Sequence, residues 1–69
     1  MITLDMIRQK IVEAIKQSGL TQIELARRLG INPSTISHYI KGDKMPALDT
    51  FANLCAILDV DSNDILCIA

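Results

Sequence analysis

The 69-residue sequence has no tryptophan, one phenylalanine (Phe51) and one tyrosine (Tyr39). Its apolar half, 49% of the residues, is therefore chiefly Ile, Leu, Val, Met and Ala, which suits packed helices. No apolar run approaches the ~20 residues needed to span a bilayer. Met1 to Lys10 lacks a basic start followed by an apolar stretch, so neither a membrane segment nor a signal peptide is expected. The two cysteines, Cys55 and Cys67, match no metal-site spacing, and His38 is the single histidine. No metal and no cofactor are expected, and the thiols read as reduced in a cytoplasmic protein, Cys55 as a small core residue. There is no Ser–His or Cys–His arrangement that helix geometry brings together and no carboxylate pair facing a cleft. The chain is therefore expected to be no enzyme, with no catalytic residue and no evident small-molecule site. The length suits one small domain over residues 1–69. Domains of this size are marginally stable alone and often gain stability by oligomerising.

Basic residues are missing from one end. All seven lie within residues 1–45, against four acids, which leaves +3 there; residues 46–69 carry four acids and no cation, or −4. The net charge of −1 therefore hides a polarised molecule with one end suited to phosphate. Acidic C-terminal halves also occur in ordinary soluble proteins.

With few glycines and prolines, those present punctuate the chain. Thr3 can cap a first helix to about Gln17, with Leu4, Ile7, Ile11, Ala14 and Ile15 at helical spacing and Ser18-Gly19 ending it. Thr21 and Glu24 make a capping box for a second helix, with Ile23, Leu25, Ala26 and Leu29 as its apolar residues and Gly30 as its stop. Asn32 can cap a third helix, with Pro33 where the missing N–H costs nothing and Gly42 at its close. After a loop at 42–46 a fourth helix spans about Leu48 to Leu58, with Leu48, Phe51, Leu54, Cys55 and Leu58 on one stripe. Asp61 caps a short fifth, about Ser62 to Leu66. The fold class is all-α: five short helices in one compact domain.

Residues 22–41, QIELARRLGINPSTISHYIK, are the informative stretch: two short helices around a turn that starts at Gly30. At about 100° per residue, Ile36, Tyr39 and Ile40 share one face, and Ser34, Ser37, His38 and Lys41 the opposite one. That outward face has hydroxyls, an imidazole and an ammonium, and neither a large apolar residue nor an acid. Such groups can bond to base edges or phosphates.

In this stretch the sequence resembles the lambda-repressor/Cro-like (Xre) helix-turn-helix family. The resemblance rests on Leu20-Thr21-Gln22, Leu25-Ala26, Gly30, Ile31, Ser34-Thr35-Ile36-Ser37 and Gly42. Pro46, Leu48, Leu54, Leu58 and the Asp61…Ile65-Leu66 ending extend it, and it covers about residues 6 to 67. The resemblance implies a helix-turn-helix at helices 2 and 3, with helix 3 in the major groove of double-stranded DNA. Carried over by position, Pro33, Ser34, Ser37 and His38 become the base-reading candidates. Gln22, Asn32, Thr35, Lys41 and Lys44 become the DNA-backbone candidates, with Gln22 bonding a phosphate or buttressing the recognition helix. Many members pair an arginine late in helix 1 with a glutamate late in helix 3, where this chain has Ile15 and Ile40. The reading positions also lack Arg and Gln.

Plainer readings stand beside these. Ser34 and Ser37 can be solvent-facing polar residues, His38 an idle exposed histidine, and Arg27 and Arg28 solubilising charges. The apolar end Ile65-Leu66-Cys67-Ile68 either folds back on its own core or forms a two-fold dimer contact. The expectation drawn is a cytoplasmic, sequence-specific transcription regulator, a homodimeric repressor on a palindromic operator. The alternative is a protein-interaction module, such as the antitoxin of a toxin–antitoxin pair.

Overall fold

The computed structural model describes residues 1–68. Five helices follow in order: α1 (Leu4–Gln17), α2 (Gln22–Leu29), α3 (Pro33–Lys41), α4 (Leu48–Leu58) and α5 (Ser62–Ile65). Each start has a local cause. Thr3 Oγ1 accepts from the Met6 N–H, Thr21 Oγ1 from Glu24, Asn32 Oδ1 from Ser34 and Asp61 Oδ1 from Asn63, which satisfies N–H groups that a helix leaves without a carbonyl. Only α4 begins without a side-chain cap, at Ala47. Gly30 ends α2 at φ 71°, and the Ile31 N–H then returns 3.0 Å to the Ala26 carbonyl. Gly42 ends α3 in the same way at φ 86°.

The capping box at α2 forms only in half. Thr21 takes the Glu24 N–H at 3.1 Å, but the Glu24 carboxylate turns forward to Arg27 (2.9 Å) and Arg28 (3.1 Å). Two cations three and four residues ahead outcompete one backbone N–H. Arg27 and Arg28 are thereby both paired with an acid on their own helix.

One core joins the helices: Ile11 and Ile15 of α1, Leu25 and Ala26 of α2, Ile36 and Tyr39 of α3, Leu54 and Cys55 of α4, and Ile65 of α5. Leu25 and Ile36 are fully buried at the α2–α3 crossing, where Ala26 keeps the inner face small. Burying side chains of this size contributes roughly 1.5–3 kcal/mol each. Where an arginine–glutamate pair is common in similar proteins, Ile15 is buried and Ile40 packs half-buried on the same cluster. Replacing an ion pair by apolar packing is often neutral or stabilising. Burial pushes the Tyr39 phenol up, with the Asp49 carboxylate adding to the effect. Burial likewise raises the Cys55 thiol, with Asp61 adding.

Three of the apolar residues named for the predicted helices face out. Ile23 is 63% exposed, because it lies about 160° round α2 from Leu25. Leu4 is 69% and Leu48 86% exposed. Both occupy the first turn of their helix and stand at the rim of a shallow apolar groove that Ile7, Met45, Phe51 and Leu66 also line. Among the described residues no helix is long and apolar enough to cross a membrane.

Candidate nucleic-acid interface

The α2–α3 unit sets α3 with Ile36 and Tyr39 in the core, and this orientation decides what its other face shows. Pro33, Ser34 and His38 are exposed there; Ser37 is half-exposed at the junction with α2. The four base-reading candidates thus lie on one outward face. Asn32 stands exposed at the N-terminus of α3, Gln22 is exposed at the start of α2, and Lys41 and Lys44 are exposed at the other end of α3 and in the following loop. Thr35 is half-buried, and its N–H is taken by the Asn32 carbonyl at 2.9 Å.

The polar tips on this face are not loose. Ser34 Oγ donates to Asn32 Oδ1 at 2.9 Å. Ser37 Oγ donates to Gln22 Oε1 at 2.6 Å, which ties α3 to α2 across fifteen residues of sequence. His38 Nδ1 lies 3.2 Å from the Asp43 carboxylate. Asp43 was absent from the sequence-based candidates, yet a signal for it existed. The left-handed Gly42 folds the chain back so that the Asp43 N–H reaches the His38 carbonyl at 3.0 Å, and its side chain follows onto the imidazole. Arg8 was missed as well. Its side chain crosses Gly42, where an added Cβ would stand 2.9 Å from Arg8 Cδ, and its guanidinium pairs with Asp5.

The ion pairs sort the cations. Arg8, Lys10, Arg27 and Arg28 each lie beside an acid on their own helix. Among the described residues, no ion pair engages Lys41 or Lys44. Lys16 is likewise without an ion pair, but of these three exposed lysines only Lys41 and Lys44 stand at the end of the polar face.

The dimer candidates divide. Ile65 is 6% exposed and belongs to the core of its own chain, so its side chain is not offered at the surface. Leu66 and Cys67 are half-buried, and Ile68 is exposed. Cys67 takes a positive φ of 63°, so the chain turns directly after Leu66. Among the described residues, no group of three or more His, Cys, Asp or Glu side chains is placed to hold a metal ion.

Two short helices joined at a left-handed glycine, the second carrying a polar outer face, define a helix-turn-helix unit. A family model described as helix-turn-helix matches residues 11–65. The chain belongs to the lambda-repressor-like (Xre) branch of this family and is a DNA-binding helix-turn-helix regulator. The comparison with curated proteins and the comparison with solved structures give no match.

Proposed function

We propose that the protein is a cytoplasmic transcriptional repressor that binds a palindromic operator as a homodimer. The observation that carries this reading is the outer face of α3. Its exposed groups are polar, it begins at a capped helix N-terminus, and two unpaired lysines flank its far end. In this reading α3 lies in the major groove, Pro33, Ser34, Ser37 and His38 meet base edges, and Gln22, Asn32, Thr35, Lys41 and Lys44 hold phosphates. Pro33 supplies an apolar surface for a thymine methyl. Repression follows from occupying the operator and excluding polymerase.

The dimer contact is assigned to Leu66, Cys67 and Ile68, with Ile65 anchoring the tail from beneath. Its support is the apolar end of the chain, with Ile68 59% exposed. The acidic C-terminal part would then face away from the phosphates. Truncation before Ile65 would remove a core residue, so the point substitution Ile68→Asp is the better probe. Molar mass by light scattering should shift from dimer to monomer in this variant, and an unchanged dimer refutes the contact.

Selection of bound duplexes from a random pool at two salt concentrations tests the whole reading. Half-sites about ten base pairs apart are expected for a two-fold dimer. Binding without enrichment that vanishes at modest salt would reduce the contact to nonspecific electrostatics. The exposed apolar residues Leu4, Ile23 and Leu48 would then favour the second reading, a partner-binding module such as an antitoxin.

A further inference from the structure

The hydrogen bonds on α3 do more than orient side chains: they spend its donors. Ser34 Oγ gives its proton to Asn32 Oδ1, and Ser37 Oγ gives its proton to Gln22 Oε1. A serine hydroxyl has one proton and two lone pairs, so each serine is left with acceptor capacity only. His38 Nδ1 faces a carboxylate, which only accepts. In the neutral imidazole the proton therefore sits on Nδ1, and Nε2 carries a lone pair.

The amides are the mirror image. Asn32 Oδ1 is engaged by both the Ser34 N–H and the Ser34 hydroxyl, and Gln22 Oε1 by Ser37. Each amide keeps its NH2 free to donate. With Lys41 and Lys44, the free donors thus belong to the residues placed for the DNA backbone, and the free acceptors to those placed for bases.

We propose that the reading face of α3 is an acceptor surface, so that Ser34, Ser37 and His38 recognise the exocyclic amino groups of adenine N6 and cytosine N4. Guanine N7 and O6 and thymine O4 are themselves acceptors and offer these three residues nothing. The inference rests on α3 being the major-groove helix. It adds Asp43 as a positioning residue that sets the tautomer of His38 without touching DNA. The absence of Arg, Lys and Gln from the reading positions accords with it, since those side chains are the usual donors to guanine and adenine.

The experiment uses the site enriched from the random pool, at pH 8. At each enriched pair, the amino group is deleted by purine for adenine or 2-pyrimidinone for cytosine. In a parallel series, the acceptor is deleted by 7-deazaguanine or 7-deazaadenine. Losing one read amino group should weaken binding about fivefold, as expected for a single hydrogen bond, and the 7-deaza series should leave it unchanged. Asp43→Ala frees the imidazole to carry its proton on Nε2 and donate, so one pair, and one only, should become sensitive to loss of its N7 acceptor, by 7-deazaadenine where His38 reads an adenine or by 7-deazaguanine opposite a cytosine it reads. His38→Ala should abolish sensitivity at that same position. A site that depends on its N7 acceptors and ignores its amino groups overturns this inference and leaves the DNA reading standing. So does an Asp43→Ala variant with unchanged base dependence, as far as His38 is concerned. If the pool yields no enriched sequence, the recognition reading falls first and this one falls with it.

Discussion

The α2–α3 unit and the α4–α5 end contribute to the same core but show solvent very different surfaces. Around α2 and α3 the exposed groups are, Ile23 and Pro33 apart, chiefly hydroxyls, amides, an imidazole and cations, most of them held by a named partner. Beyond residue 46 there is no cation, Leu48 and Ile68 stand exposed, and α4 starts without a side-chain cap. Polar tips gain from being held in one geometry before a ligand arrives, because the ordering cost is then already met in the free protein. Apolar surface needs no such direction and serves association, of copies or of partners. Under the proposed function, the first of these ends reads DNA and the second associates.

The comparison breaks most readily in the shared core. Leu25→Ala opens a cavity where the side chain is fully buried and should cost about 2–5 kcal/mol, a large part of the stability of so small a domain. Thermal melting followed by circular dichroism should show one lowered transition for the whole molecule. Two separate transitions would mean that the ends fold independently. Gly42→Ala should cost about 1–2 kcal/mol for its left-handed backbone, with the Arg8 side chain displaced in addition. Because it moves Asp43, the same variant should weaken base discrimination more than total affinity, a difference that competition binding measures.

Lys41→Ala and Lys44→Ala together should weaken binding to all sequences alike. The slope of log affinity against log salt should become shallower by about 0.9 for each phosphate that is no longer neutralised. A change confined to particular sequences would move these lysines into the base-reading group. The smallest effect is expected at alkaline pH. Tyr39 and Cys55 hold their protons more tightly in the folded chain than in the unfolded one. Their contribution is present below the ordinary thiol and phenol range, about pH 8.5 to 10, and is lost as pH rises through it. Urea midpoints should therefore fall across that range, and Tyr39→Phe should flatten the decline; an equal decline in the variant would remove Tyr39 from the account.

Much of this architecture was legible residue by residue. Thr3, Thr21, Asn32 and Asp61 mark helix starts, and Gly30 and Gly42 mark stops, through hydrogen bonds that span six residues or fewer. The 3.6-residue period placed Ile36 and Tyr39 inward and His38 outward, which located the candidate reading face from the sequence. Periodicity failed at Leu4 and Leu48, since it says which way a side chain points and not whether anything covers it, whereas the exposed Ile23 stands where the period puts it. It was equally silent on Ile65, which turned out to belong to the core although the terminal run offered two destinations.

Sequence alone therefore determined the helices, their ends and the outward face of α3, because capping, glycine conformation and helical period are short-range physics. Only the tertiary structure decided which partner each polar tip takes. Ser37 meets Gln22 because α3 crosses α2, and His38 meets Asp43 because the chain doubles back at Gly42. Those pairings turn a set of polar residues into a surface with its donors and acceptors assigned. They depend on where two segments cross in space, and no local rule carries that information.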